Sequence, residues 1–190
     1  QPKYAFLYDS EKILNFEYKI GNTQFLNLNE LQGYLKSSKS NLTLLAISGY
    51  KSLYFLESII ENTDYLGIVS KEAIVSAGHI FRKRKYFNKT NIIPLDSEHF
   101  SLFELFNKIN IRENINKVTL TASGGPFYKR KFSSLKNIKF NQAIKHPKWN
   151  MGYKNSIDSA TLVNKCLEII EAHYLFNIPY DKIDILLHPQ

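Results

Sequence analysis

Residues 91–98 read NIIPLDSE, an apolar run of strand length that ends in two carboxylates with a hydroxyl between them. In an open α/β sheet, the loops beyond the carboxyl ends of the strands form the ligand crevice. Asp96 and Glu98 repel each other there unless a positive group lies between them, and a hard divalent cation takes oxygen ligands of this kind. The alternative is that either residue caps the following helix through the helix dipole. The pattern therefore predicts a metal site or a helix cap.

Apolar strands and helical stretches alternate on both sides of this segment. We predict strands over residues 42–47, 65–69, 92–95 and 118–122, and helices over 52–61, 71–84 and 98–109. Such alternation is typical of βαβ units and a mostly parallel sheet. Further strands are predicted at residues 4–8 and 183–187, and a long helix is predicted to start at Asp158 and reach about Phe176. Residues 129–147 are polar, with only short helical pieces expected.

The composition restricts the class of protein. The chain has 190 residues, of which 44% are hydrophobic, enough for a real core, and no apolar run approaches the roughly 20 residues of a membrane span. The single cysteine, Cys166, excludes an internal disulfide framework, fits a reducing compartment, and is expected to act as a small apolar residue. The net charge of +8 suits an anionic partner: nucleic acid, a phosphorylated metabolite or a nucleotide cofactor.

Two short basic clusters, at residues 82–85 and 129–131, lie at predicted element ends. No zinc-finger, RNP or homeodomain pattern accompanies them, so they indicate solvated surface and not a nucleic-acid groove. The chain begins with Gln1, has Met151 as its single methionine, and shows no signal or transit peptide. We expect it to be a piece of a longer protein.

Two further segments carry polar groups with possible chemistry. Ser123 and the two glycines after it follow a strand, where they could cradle a phosphate or simply form a turn. In the helix predicted from Asp158, Ser159 would lie near the N-terminus, where hydroxyl and dipole favour an anion. Asn164 and Glu168 share a face, and Lys165 could reach a phosphate.

Glu171 would lie beside Glu168 on the same helix, and two carboxylates so placed favour a cation or a shared proton. The alternative is a solvated polar face. The surrounding apolar residues predict that the helix is largely buried, so that its polar groups need partners; these are Leu162, Val163, Leu167, Ile169 and Ile170.

Three histidines and one loop complete the candidate residues. His99, His146 and His188 each lie at a loop or strand end, which suggests phosphate or proton-transfer roles. Trp149 and Met151 lie in a predicted loop as either a hydrophobic anchor or a lid that closes over a substrate.

Seven motifs resemble, in the same order, those of the 1-deoxy-D-xylulose 5-phosphate reductoisomerase family, which uses NADPH and a metal in the methylerythritol phosphate route to isoprenoids. They are SKE at 70–72, DSEH at 96–99, TASGGPF at 121–127, HPKWNMG at 146–152, DSAT at 158–161, NKCLEIIEAH at 164–173 and HPQ at 188–190. The resemblance is dense from about residue 65 to the last residue and looser from Pro2.

The resemblance implies roles residue by residue. The metal ligands would be Asp96, Glu98 and Glu168, and the catalytic residues would be Lys71, Glu98, Glu168 and His146. Substrate contacts would come from Lys71, Ser97, Ser123, His146, Ser159, Asn164, Lys165 and Glu168. Cofactor contacts would come from Ser70, Glu72 and Gly152, and the lid from Trp149 and Met151. NADPH and a divalent metal (Mg, Mn or Co) would be the cofactors, and a small phosphorylated sugar the substrate.

The sequence differs from the family pattern at three places. The glycine-rich Gly-x-Thr-Gly-x-x-Gly turn that holds the cofactor's pyrophosphate does not occur in it. Residues 48–52 read SGYKS where the family has a small glycine- and alanine-rich turn, and Ser70 replaces an asparagine.

The resemblance implies an α/β chain truncated at both ends: the C-terminal part of a Rossmann-type parallel sheet, then the start of an α+β catalytic domain. Residues 1–90 would form an incomplete NADPH-binding domain that lacks the first glycine-rich unit. Residues 91–190 would form an incomplete metal- and substrate-binding catalytic domain.

Three hypotheses for the function follow. The first is an NADPH-dependent enzyme that converts 1-deoxy-D-xylulose 5-phosphate to 2-C-methyl-D-erythritol 4-phosphate by rearrangement and reduction. The second is an inactive remnant that keeps only the substrate and metal half-site, and the third is a basic nucleic-acid-binding domain. We favour the first, with no nucleic-acid or membrane partner, a homodimeric parent, and a cytoplasmic location (alternatively a plastid).

Overall fold

The computed structural model describes residues 1–9, 21–85, 88–108, 115–145 and 153–188. These residues form a mixed α/β fold. Its strands are β1 (Tyr4–Ala5), β2 (Gln24–Phe25), β3 (Ser40–Leu45), β4 (Thr63–Ile68), β5 (Asn91–Pro94), β6 (Val118–Ala122) and β7 (Ile183–Leu187). Its α-helices are α1 (Leu28–Ser37), α2 (Leu53–Glu61), α3 (Lys71–Lys83), α4 (Ser97–Lys108), α5 (Phe140–Ala143), α6 (Tyr153–Ala160) and α7 (Val163–Phe176). Short 3₁₀ helices cover Gly49–Ser52, Phe132–Asn137 and Tyr180–Lys182.

Every strand pairing in the described part of the chain is parallel, as the alternation of strands and helices predicted. The central sheet has the order β3-β4-β5, with Leu66 of β4 opposite Thr43 on one side and Ile92 on the other. The helices α2 and α3 connect these three strands. The carboxyl ends of these three parallel strands therefore lie at one edge of the sheet, where Ser70 follows β4 and Asp96 follows β5.

The expectation of one sheet through residues 118–122 is wrong. The strand β6 pairs with β7, with Val118 opposite Ile183, and the short strands β1 and β2 form a third sheet. The partner of β6 comes far along the chain, after α7, and a pairing between such distant segments leaves no local pattern in the sequence. The predicted strand at residues 4–8 is also shorter than expected.

The main core lies between the central sheet and the helices α2 and α3. Leu66, Ile74, Ile60 and Phe81 are at most 1% exposed within it. A smaller cluster forms where β6 and β7 meet α7, around Leu120, with Phe106 of α4 packed against it. The prediction of a division near residue 90 stays a prediction, and β5 pairs with β4 across that point.

Two helices differ from their predicted form. The helix expected from Asp158 to Phe176 is two helices, because Leu162 adopts a left-handed conformation (φ 62°) between α6 and α7. The helix α1 was not predicted. Its signal is the capping box in which Asn27 and Glu30 each bind the other's backbone N–H.

None of the helices in the described ranges has both the length and the apolar character needed to cross a membrane.

Candidate metal and phosphate site

Three carboxylates converge beyond the carboxyl end of β5. Asp96 follows β5, Glu98 lies in the first turn of α4, and Glu168 lies on α7. One oxygen of each lies within 4.8 Å of the others. A set of anionic oxygen ligands is the chemistry that Mg²⁺ and Mn²⁺ prefer. The residues present therefore fit a hard divalent cation.

Lys71, the first residue of α3, contacts two of these carboxylates. Its Nζ lies 2.8 Å from Asp96 Oδ2 and 3.4 Å from Glu168 Oε1, and it donates to Asn164 Oδ1 at 2.9 Å. Burial lowers the pKa of Lys71, but the adjacent Asp96 and Glu168 outweigh burial and raise it above 10.5. Lys71 is therefore a buried cation that donates hydrogen bonds and does not serve as a base.

Lys165, in the first turn of α7, contacts the third carboxylate. Its Nζ lies 2.6 Å from Glu168 Oε2 and forms an ion pair with Glu98 Oε1. The Ser97 hydroxyl donates to the other Glu98 oxygen at 2.5 Å. Burial and the charge of Glu98 raise the pKa of Glu168, against the opposing effect of Lys165 and Lys71. The two lysines therefore offset most of the negative charge of the three acids, as buried charges require.

His99 lies behind this group with no exposed surface. Its Nε2 is 2.9 Å from the Glu168 carbonyl oxygen, which only accepts, so Nε2 carries a proton. Its Nδ1 lies 3.3 Å from Asp96 Oδ1 and also 3.3 Å from Glu171 Oε2. Because Asp96 binds Lys71 and His99 through its carboxylate, the helix-cap alternative does not describe its main contacts.

The pKa values of His99, Glu171 and Asp96 are shifted by burial and by neighbouring charges. Burial lowers the pKa of His99, but the hydrogen bond with Asp96 and the charge of Glu171 outweigh it and raise that pKa above 6.5. Burial raises the pKa of Glu171 to about 7, with His99 opposing. Burial also acts to raise the pKa of Asp96, but His99 and Lys71 hold it well below 3.8. The prediction that Glu168 and Glu171 share a cation or a proton is thus modified: Glu168 faces the lysines, whereas Glu171 faces His99.

A small polar cavity borders this group through Asn164 and Lys165, which both contact Glu168. Its lining includes Ser123, Gly124, Ser159, Asn164 and Lys165. The structure thus brings together four residues that were predicted to contact the substrate: Ser123, Ser159, Asn164 and Lys165. The reason given for Ser159 is wrong, since it lies near the C-terminal end of α6 and not at a helix start.

Gly125 permits the close approach that forms this cavity. It has a positive φ of 69°, and a Cβ at this position would lie 2.6 Å from the Ser159 carbonyl oxygen. A larger side chain there would push α6 away from the end of β6. A larger open groove of about 660 Å³ runs along β5 and the ends of α3 and α7, and none of the predicted site residues lines it.

The predicted cofactor residues Ser70 and Glu72 form a separate cluster at the start of α3. The Ser70 hydroxyl donates to Glu72 Oε2 at 2.7 Å, and Lys154 lies 2.8 Å from Glu72 Oε1 and 2.6 Å from Asp158 Oδ2. Burial acts to raise the pKa of Glu72, but Lys154 and Ser70 lower it to about 2. Lys154 thus joins the start of α3 to α6. Sequence reasoning missed it, because the two carboxylates that it bridges are far apart along the chain.

The remaining predicted site residues are not part of the site that the structure describes. His146, Trp149, Met151 and Gly152 lie outside the described residues. His188 is exposed, and its backbone N–H donates to the Ala122 carbonyl oxygen.

The prediction that α7 is buried, and that its polar groups therefore have partners, is confirmed for its charged residues. Its buried residues are Lys165, Glu168, Glu171 and Ala172, whereas Val163 is 44% exposed and Cys166 is exposed. The expectation for Cys166 as a small apolar packing residue is therefore wrong. The charged residues face inward because they compensate one another there.

Known proteins share this arrangement of sequence and fold. The family model of the 1-deoxy-D-xylulose 5-phosphate reductoisomerase C-terminal domain matches residues 92–176. A 1-deoxy-D-xylulose 5-phosphate reductoisomerase of Clostridium tetani is 41% identical over 195 aligned positions, which cover 100% of this chain and 50% of that protein. The chain belongs to the 1-deoxy-D-xylulose 5-phosphate reductoisomerase family.

Solved structures of this reductoisomerase family have the same fold. A DOX-P reductoisomerase in complex with NADPH, fosmidomycin and magnesium superposes with a TM-score of 0.78 at 28% identity, covering 99% of this chain and 49% of that one. The Zymomonas mobilis reductoisomerase in complex with NADPH also gives 0.78, at 31% identity, covering 99% and 48%. The chain spans about half the length of the curated relatives it matches.

Proposed function

We propose that this chain is the metal- and substrate-binding part, with part of the NADPH-binding region, of a 1-deoxy-D-xylulose 5-phosphate reductoisomerase. The whole protein would convert 1-deoxy-D-xylulose 5-phosphate to 2-C-methyl-D-erythritol 4-phosphate. The observation that carries the proposal is the convergence of Asp96, Glu98 and Glu168 beside the buried Lys71, in a chain of this family. The strands β3 and β4 with α2 and α3 would be the C-terminal part of a Rossmann-type domain, and β5 extends their sheet into the second part.

Asp96, Glu98 and Glu168 would hold a divalent cation (Mg, Mn or Co). When bound, the metal supplies Lewis-acid polarisation of the substrate carbonyl, and NADPH supplies the hydride. Neighbouring structures of the family that contain magnesium and NADPH support both assignments.

The side chains around the carboxylates would orient the sugar. Lys71, fixed by Asp96 and Asn164, would donate a hydrogen bond to a carbonyl or hydroxyl oxygen of the substrate, and Ser97 would contact the same end. Because burial raises the pKa of Glu168, its carboxylate would accept a proton from a substrate hydroxyl more readily than an exposed glutamate. Glu98 would be the second catalytic carboxylate.

The polar cavity would receive the phosphate end of the sugar. Ser123 and Ser159 supply hydroxyls, Asn164 an amide and Lys165 a positive charge at its wall. Fosmidomycin complexes among the solved relatives support a small phosphorylated ligand. His146 would lie close by.

NADPH and the lid would complete the site. Ser70 and Glu72, just beyond the carboxyl end of β4, would border the cofactor, with Gly152 near the nicotinamide. Trp149 and Met151 would close over the substrate and exclude water. We further propose residues 1–90 and 91–190 as the two domain parts, a homodimeric parent, and a cytoplasmic location with a plastid as the alternative.

The test uses the Glu168→Gln substitution in the complete product of the gene. Removing one anionic ligand should lower turnover of 1-deoxy-D-xylulose 5-phosphate, followed as NADPH oxidation, by at least about 100-fold, on the scale of losing a key electrostatic group. The matched control is Glu104→Gln, which changes a partly exposed carboxylate of α4 that pairs with Lys108. Near-normal turnover of Glu168→Gln would contradict the proposed ligand set.

A further inference from the structure

All six oxygens of the three proposed metal ligands already have a partner within the chain. Asp96 binds His99 through Oδ1 and Lys71 through Oδ2. Glu168 binds Lys71 through Oε1 and Lys165 through Oε2.

Glu98 completes the set, with Lys165 on Oε1 and Ser97 on Oε2. Each carboxylate oxygen has a second lone-pair site, but a cation that takes one oxygen from each carboxylate would share these oxygens with the ammonium groups of Lys71 and Lys165. The cation and the ammonium groups therefore compete through their like charges.

The charges indicate which donors leave. The carboxylates of Asp96, Glu98 and Glu168 carry three negative charges, which one divalent cation and one remaining ammonium group balance, so that one of the two lysines is in excess once the cation binds. Keeping both lysines in place beside the cation would instead put like charges in contact in a site of low dielectric.

The two lysines differ in what they would contact after the exchange. Lys71 keeps the neutral Asn164 Oδ1 at 2.9 Å as an acceptor. Within the described ranges, both hydrogen-bond acceptors of Lys165 are the proposed ligands Glu98 and Glu168. Lys165 is therefore the lysine that loses its partners.

The side chain of Lys165 also borders the polar cavity that contains the Ser123 and Ser159 hydroxyls. Its stem starts in the first turn of α7, so the ammonium needs only rotamer changes to turn from the carboxylates toward the cavity. An anion in the cavity is the partner that a released ammonium requires.

We propose that Lys165 is a cation-exchange switch: a divalent cation displaces its ammonium from Glu98 and Glu168, and the released ammonium then binds the anionic end of the substrate. The inference rests on the proposed function, since it uses the same three metal ligands. Metal and phosphate consequently bind with positive coupling, and by linkage each raises the affinity for the other by the same factor.

The first measurement is Mn²⁺ affinity, read from the free-ion electron paramagnetic resonance signal of the purified chain. Lys165→Met removes the competitor and should tighten Mn²⁺ binding at least about tenfold. Lys165→Gln, which retains a donor for Glu168 without the charge, should do the same and serves as the second variant if the methionine variant does not fold by circular dichroism. The matched control is Lys154→Met, a paired lysine whose partners are Glu72 and Asp158; it should change Mn²⁺ affinity less than about twofold.

The second measurement is inorganic phosphate affinity by calorimetry, with and without saturating Mg²⁺. In the unsubstituted chain Mg²⁺ should tighten phosphate binding at least about fivefold, the low end of usual coupling, and Lys165→Gln should abolish that gain. If the gain persists in Lys165→Gln, the metal contacts phosphate directly and the switch is overturned. Equal Mn²⁺ affinities of the variants and the unsubstituted chain would overturn the switch while leaving the metal site intact. If neither the unsubstituted chain nor any of the variants bound Mn²⁺, the proposed metal site would be overturned as well.

Discussion

At the scale of single residues, Glu171 is the buried acid that the proposed metal ligands do not include. It is 1% exposed, and its Oε2 lies 3.3 Å from His99 Nδ1 without the geometry of a hydrogen bond. His99 in turn contacts Asp96. Glu171 is thus placed to fix the charge and orientation of the ring that supports a proposed metal ligand, as outer residues do around many metal sites.

Glu171→Gln should lower the pKa of His99. The charge of Glu171 helps to raise that pKa against the effect of burial, so a neutral amide leaves burial less opposed. The measurement is an NMR titration of the His99 imidazole, with Glu104→Gln as the control for a carboxylate outside the group. An unchanged His99 pKa would show that the charge of Glu171 does not help to oppose the effect of burial.

Glu171→Gln should also flatten the dependence of stability on pH between about 5 and 7. Because the pKa of Glu171 rises from 4.5 to about 7 on folding, the folded chain binds a proton in this window that the unfolded chain has released. Its contribution to stability therefore falls as pH rises from 4.5 toward 7. Urea unfolding midpoints at about pH 5 and pH 7 measure this. An equally steep loss of stability in the variant would assign the effect to other groups.

At the scale of secondary-structure elements, the packing of α3 on α7 brings Lys71 to Asn164 and Glu168. Gly78 lies at this contact, and a Cβ there would be 2.3 Å from the ring of Tyr174. Arg82 strengthens the same interface through contacts with His173. The absence of a side chain at Gly78 is therefore what allows the two helices to approach.

Gly78→Ala should destabilise the chain by about 1–3 kcal/mol, the usual effect of overpacking, and weaken Mn²⁺ binding as Lys71 and Glu168 separate. The matched control is Gly33→Ala in α1, where a Cβ meets nothing within 4 Å. That change should stabilise the chain by up to about 1 kcal/mol through helix propensity. Chemical denaturation of both variants measures the difference. Equal stabilities would refute the close-packing argument.

At the scale of the whole molecule, binding of a divalent cation should stabilise the fold, since three carboxylates from separate elements converge only after folding. At about 100 times the Kd the gain is about 2.7 kcal/mol, which raises the Tm of a domain of this size by roughly 5–10 °C. Thermal unfolding with Mg²⁺, and again after EDTA, measures it. An equal Tm in millimolar Mg²⁺ and after addition of EDTA would contradict cation binding by the folded chain.

Much of the fold follows from local patterns. The helices α2, α3 and α4, and the strands from β3 onward, begin within two residues of their predicted positions, because hydrophobic periodicity is a property of neighbouring residues. The kink at Leu162 was missed because a left-handed leucine depends on the contacts around it and not on its own propensity. The pairing of β6 with β7 was missed for a related reason, since the two segments are far apart in sequence.

The sequence by itself determined the family, the order of the strands from β3 to β7 with the helices α2, α3 and α4, and the residue types proposed to hold metal and phosphate. Motif order and periodicity are local, so they can be read without coordinates. Only the tertiary structure decided which charges meet. It set Lys71 and Lys165 on the oxygens of Asp96, Glu98 and Glu168 and placed His99 against Glu171. Such contacts join separate elements, and their energies depend on burial and distance, which exist only once the chain has folded.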